Sequence, residues 1–225
     1  GLLRADLTVT TNAGDITFGA ALDSDDSDTQ TTGKQGFDLI ANTGGSGTTR
    51  FNDVNSIGTI TTNADGVTVL AGRLVRTNGD VLFSDSVRLA ANTVLEANDV
   101  TFEGTLNSDA TTSARNITIT TSTVGTDAGE TIFRGVVGGV ARLGTLTTTG
   151  SGPTIIGANV NTLRNITFGG PVRIGASNVT IDAAGGTIIF RGALDADTSV
   201  TDPSLSLLSV APGGLTTTTF RFGGS

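Results

Sequence analysis

The chain is written in short bursts in which apolar residues alternate with Thr, Arg or Asp, as in ITITT at 117–121 and VTID at 179–182. A period of two puts every second side chain on the same side, so such bursts predict strands with one buried and one wet face. Strands are expected at 7–10, 15–18, 37–41, 67–70, 81–83, 87–89 and 100–102. More are expected at 117–120, 131–133, 154–156, 166–168, 179–181 and 187–190. AGD, TNGD, AND and AGG supply turns between them. No long run carries helical spacing, so the expected class is all-β.

One phrase is written three times: FGAALDSD at 18–25, FEGTLNSD at 102–109 and FRGALDAD at 190–197. The copies begin 84 and then 88 residues apart, and other segments keep that offset. IGTITT at 57–62 returns as LGTLTT at 143–148, and LFSDSVRL at 82–89 returns as TFGGPVRI at 167–174. A later Phe follows each motif Phe by 31 to 33 residues: Phe51 after Phe18, Phe133 after Phe102, Phe222 after Phe190. The chain therefore reads as repeat units at 18–101 and 102–189, with the start of a third at 190–225. Residues 1–17 read as the tail of a preceding unit, because 7–18 aligns without a gap on 179–190. Neither end carries an atypical capping segment, and the chain has no Met. It is expected to be a processed chain or a segment of a larger one, either a window from a longer array or a subunit whose ends are covered by neighbours.

Two architectures accommodate many short strands in such a unit. The favoured one is a right-handed parallel β-helix, a single continuous solenoid with roughly four coils of about 20 residues per unit. The alternative is a row of tandem β-sandwich domains. The sequence has no Trp or Tyr to anchor a sandwich core, and no polar or Pro-rich linker divides the units. Stacked coils would place Phe, Ile, Val and Leu ladders inside and Thr and Asn ladders outside. Gly and Asn would occupy corners that need positive φ.

Composition narrows the function more than the fold. The net charge of -8 opposes binding to nucleic-acid phosphates. No apolar run reaches membrane-spanning length. The absence of Cys and His removes disulfides, thiolate metal sites and the commonest general base. Without Cys or Met the chain also lacks the most oxidation-prone side chains, which suits an extracellular location.

The phrases NITFGGPVRIGASNVTIDAAGGTIIFRGALDAD at 165–197 and VLFSDSVRLAANTVLEANDVTFEG at 81–104 carry a family likeness. They resemble the large repetitive β-helix exoproteins of Gram-negative bacteria, of the filamentous-haemagglutinin and autotransporter-passenger types. The resemblance implies secretion, a rod-like stalk at the bacterial cell surface, and attachment or matrix roles. Open solenoid ends would expose unpaired strand edges, so like subunits or repeats are expected as head-to-tail or lateral partners, with host or matrix glycans as a further partner class.

Candidate chemistry is sparse. Asp23, Asp25, Asp26 and Asp28 lie in the run DSDDSD, and clustered carboxylates on a loop are what Ca²⁺ requires. The run lacks the Gly and Glu of an EF-hand loop, and a solvated acidic bulge is the plainer reading. The later copies keep only Asn107/Asp109 and Asp195/Asp197, which points to a turn whose Asp and Asn bond their own backbone two residues on. Pectinase-like β-helix enzymes use a His and an Arg-x-Lys, whereas this chain has no His and its one Lys is Lys34. No enzyme activity and no organic cofactor are expected. Arg residues beside strand positions, as in FRG and VRL, are expected to pair outward with acidic residues on neighbouring coils.

Overall fold

The structure is a computed structural model that describes residues 1–24, 36–122, 128–201, 203–211 and 214–221. The described residues contain strands and no helix, and they form a parallel β-solenoid. Each coil crosses three faces in turn. The first face is a nine-stranded sheet running from Leu7–Thr11 through Val81–Phe83 and Val100–Phe102 to Leu194–Ala196. The second runs from Ile16–Phe18 through Ser86–Leu89 and Leu106–Ser108, then by way of a bridge at Val137 to Val160–Thr162 and Asn178–Ala183. The third runs from Val54–Ile57 through Thr93–Ala97 to Ile188–Phe190. Asp23–Ser24 stacks beneath it, through the Leu22–Val54 bridge. Parallel pairing between successive coils rules out tandem sandwiches, whose sheets are antiparallel.

Local alternation places the strands. Val81–Phe83, Val100–Phe102, Thr131–Phe133, Thr154–Ile156 and Ile166–Phe168 form where the pattern puts them. In each, the two outer residues of the three are buried and the middle one is half-exposed. Stacking turns these positions into ladders. Val81 pairs with Ile60 below and Val100 above, and Phe83 with Thr62 and Phe102. Phe83, Phe102 and Phe133 stack at ring-centroid distances of 5.4 Å. The apolar interior is one cluster extending from Leu3 to Leu205.

Two expectations about the ladders need correction. Thr is not confined to the outside, since Thr43, Thr49, Thr62, Thr68, Thr148 and Thr162 are all buried. Its β-branched shape fills a strand site as Val does, and its hydroxyl can find a partner across the coil, as between Thr148 and Thr154 at 3.0 Å, although that of Thr49 has none. Nor do corner glycines mainly serve positive φ, and no described Asn has it. Gly104 is needed for close approach: a Cβ there would lie 2.4 Å from the Asp85 carbonyl oxygen. Gly135 repeats this one coil on, 2.2 Å from the Gly104 carbonyl oxygen. The recurring Phe-x-Gly phrase is thus a strand end followed by a corner that presses on the coil below.

The coils are uneven. Strand register gives 18 residues from Thr154 to Val172 but 32 from Leu7 to Leu39. The repeat unit also differs from four whole coils. Phe18 lies on the second face, Phe102 on the first and Phe190 on the third. Between successive copies the chain crosses eleven sides, counting the Val137 bridge as one in the second interval, which is a third of a coil short of four turns. The other repeated phrases obey the same count. Ile60–Thr62 is on the first face, while its copy Leu146–Thr149 is on the third. Phe102 is fully buried, whereas Phe18 and Phe190 sit in the terminal coils and are only partly buried.

Candidate functional site

The acidic run does not resolve into a site. Asp23 is exposed, and its Oδ1 accepts the Ser24 backbone N–H at 2.9 Å. Asp25, Asp26 and Asp28 lie outside the described residues, as does Phe222. Among the described residues no three acidic side chains are grouped to hold a metal ion. The later copies divide the work differently. Asn107 Oδ1 accepts the Val140 and Ala141 N–H groups from the next coil at 2.9 and 3.3 Å. Asp109 takes a two-pronged contact from Arg115 at 2.9 and 3.3 Å, which holds its carboxyl below the usual range. Asp195 and Asp197 do bond local backbone, at Ala196 and Ser199. The Ser199 hydroxyl and N–H lower the Asp197 pKa.

A different use of Asp and Asn dominates the corners. Asp6, Asp15, Asp80, Asp99, Asn92, Asn159 and Asn165 each accept a backbone N–H from the coil above. Asp53 accepts two, from Arg73 and Leu74, at 2.6 and 3.1 Å. The partners lie 19 to 33 residues away, not two. Corners leave strand-entry amides that need an acceptor, and a short carboxylate or amide one coil below supplies it. The acidity of the chain is therefore largely structural. The signal was present in phrases such as NGDV and ANDV, where the Asp immediately precedes a first-face strand.

Asp85 is the one buried carboxylate among the described residues, at 1% exposure. It sits in the corner between Val81–Phe83 and Ser86–Leu89 and points inward. The Thr62 hydroxyl donates to Oδ1 and the Thr68 hydroxyl to Oδ2, both at 2.9 Å. Burial raises its pKa, against the opposing pull of those two hydrogen bonds. Asp85 thereby ties the first and second faces of the preceding coil together. Its counterpart in the next unit is Gly170, so the repeat gives no hint of it.

Three arginines act as coil staples. Arg76 pairs with Glu96 at 2.6 Å, and the two are directly in register on adjacent coils. Arg134 pairs with Glu103 at 3.0 Å. Arg142 reaches Asp182 at 2.6 Å and also donates to the Thr162 carbonyl, spanning two coil steps. An open depression of about 310 Å³ is lined by Arg76, Glu96, Asn98, Thr120 and neighbours. Several of its polar groups already have partners: Arg76 bonds Glu96 within it, while Asn98 bonds Asp80 and Thr120 bonds Thr149 outside it.

What remains is the pair of terminal coils. On the first face the inward ladder Leu39, Ile60, Val81, Val100, Val172 is at most 1% exposed. Its end members, Leu7 and Leu194, are only partly buried. Among the described residues, the strands that carry them are each paired on one edge only. Phe18, at the start of the second face, and Phe190, at the end of the third, are also only partly buried, whereas the opposite ends of those faces are buried at Leu205 and at Leu3 and Leu22. The described residues define a parallel β-solenoid in which no enclosed constellation of reactive side chains is assembled. No family model, curated protein or solved structure matches the chain.

Proposed function

We propose that this chain is a length of structural or adhesive rod, a segment of an extracellular fibre, sheath or stalk whose coils stack end to end with like coils. The carrying observation is the contrast along the first-face ladder, buried in the middle and only partly buried at both ends, Leu7 and Leu194. An unpaired strand edge with an apolar row beside it is a template for another strand of the same kind. Head-to-tail stacking of identical ends is a heterologous contact, which extends rather than closes. Nine first-face strands at about 4.8 Å each make a segment of roughly 40 Å. The function in this reading is reach, without catalysis. The sequence resemblance to secreted β-helix exoproteins supports placement at a bacterial cell surface.

Small-angle scattering and electron microscopy across a concentration series test this. Particles should lengthen along one axis at constant cross-section. Val9→Lys with Leu194→Lys should keep the fold by circular dichroism and stop the lengthening. Compact particles of fixed size at every concentration would overturn the reading.

A further inference from the structure

The last strand breaks the rule of the solenoid. Ser204–Ala211 continues the parallel stack on Asn178–Ala183. Gly214–Arg221 then runs back along it, antiparallel, with Leu207 opposite Thr218. All other pairs of named strands among the described residues are parallel. At the same end, Ile188–Phe190 has Ile166–Phe168 on one edge and, among the described residues, no strand on the other. Its Ile188 and Phe190 are only partly buried.

The eleven-side period identifies the segment that belongs on that edge. Ile16–Phe18 is the counterpart of Ile188–Phe190, two repeat units earlier. Two sides later comes Leu39–Thr43 in one case and Ser204–Ala211 in the other. Three sides later Thr48–Phe51 lies back on Ile16–Phe18, with Ile16 beside Thr49, Thr17 beside Arg50, and Phe18 stacked on Phe51 at 5.2 Å. That strand reads TTRF, and its counterpart at 219–222 reads TFRF. By the same count it should return to the third face.

We infer that Gly214–Arg221 has a second seat, parallel on the open edge of Ile188–Phe190, with Phe220 beside Ile188 and Arg221 beside Ile189. Either seat satisfies one edge of the strand's backbone. They differ in what they cover, because only the second buries Ile188 and Phe190. In the hairpin seat the third face ends open. In the second seat the coil is completed and its new edge is ready for the next one. The strand is thus an exchangeable end, and the inference does not require that copies stack.

Paired cysteines report the seat, because the chain has none of its own. Ser206→Cys with Thr219→Cys places thiols opposite each other in the hairpin. Ile189→Cys with Arg221→Cys places them side by side in the second seat, within the Cα spacing a disulfide spans. Each variant is oxidised mildly and its peptides are mapped by mass spectrometry without reduction. The Ile189–Arg221 disulfide should form in at least a tenfold excess over that seen in a control pairing Arg221→Cys with the distant Thr10→Cys. If the Ser206–Thr219 bond closes fully while the 189/221 thiols stay free, the second seat does not exist.

Discussion

Asp85→Asn isolates the buried carboxylate. Asparagine keeps the size and shape of the side chain, and its amide can hold both Thr62 and Thr68 if one hydroxyl turns to accept. What it removes is the titration. Because burial raises the pKa, the folded chain holds this proton to higher pH than the unfolded chain does. The stabilising contribution of protonated Asp85 is then fully present below the unfolded value, about 3.9, and is lost as pH rises through the folded one. Inside that window the native protein should lose about 1.4 kcal/mol per pH unit relative to the variant, the slope for one proton. A 225-residue chain has an unfolding entropy of roughly 0.5 kcal/mol/K, so the Tm difference should change by about 3 °C per pH unit. Thermal melts of both proteins between pH 3.5 and 8, in steps of about half a unit, measure it. The remaining carboxylates are common to both and cancel in the difference. Asp85→Asn should be the more stable of the two at neutral pH. Parallel Tm curves across the whole range would refute the argument, since they would mean that Asp85 titrates alike in both states.

Phe102→Ala removes a ring stacked between Phe83 and Phe133 and should cost about 3–5 kcal/mol, read from the urea midpoint. Gly104→Ala should cost about 1–3 kcal/mol, because the new methyl meets Asp85 backbone, which must give way. Gly19→Ala, with nothing within 4 Å, should fall within about 0.5 kcal/mol of the parent. Asp99→Asn preserves the acceptor for the Glu130 N–H and should be nearly neutral, while Asp99→Ala should lose about 1 kcal/mol. Chemical denaturation of the pair separates acceptor from charge.

Features that depend on adjacent residues were legible in the sequence. Alternation and flanking turns mark Val81–Phe83 or Thr154–Ile156 without help from the rest of the chain. The phase of the repeat was not legible, because a Phe-x-Gly corner is written the same way on any face. The likeness between FGAALDSD and FEGTLNSD could not show that one turns from the second face and the other from the first. Asp85 was hidden for a related reason. Its environment is set by Thr62 and Thr68, 23 and 17 residues earlier, and their nearness follows only from coil length. Likewise the acceptor role of Asp80 or Asp99 needs the register of the coil above. The terminal coils were expected to be uncapped, yet the antiparallel return of Gly214–Arg221 has no counterpart in the alternation.

An interval of eleven sides on a three-sided shaft has a mechanical consequence. Like a cog whose teeth do not divide its cycle, each repeat leaves its landmarks one face further round. Three repeats, eleven full coils, bring a landmark back to the same azimuth. A corner bearing any feature of the motif would therefore wind as a slow spiral along a longer shaft, meeting a flat surface whichever way the shaft lies. The interchangeable part is the side with its corner, since the same phrase serves at all three. Lengthening such a chain by any whole number of sides should thus be tolerated, where a design built on whole coils would tolerate only every third.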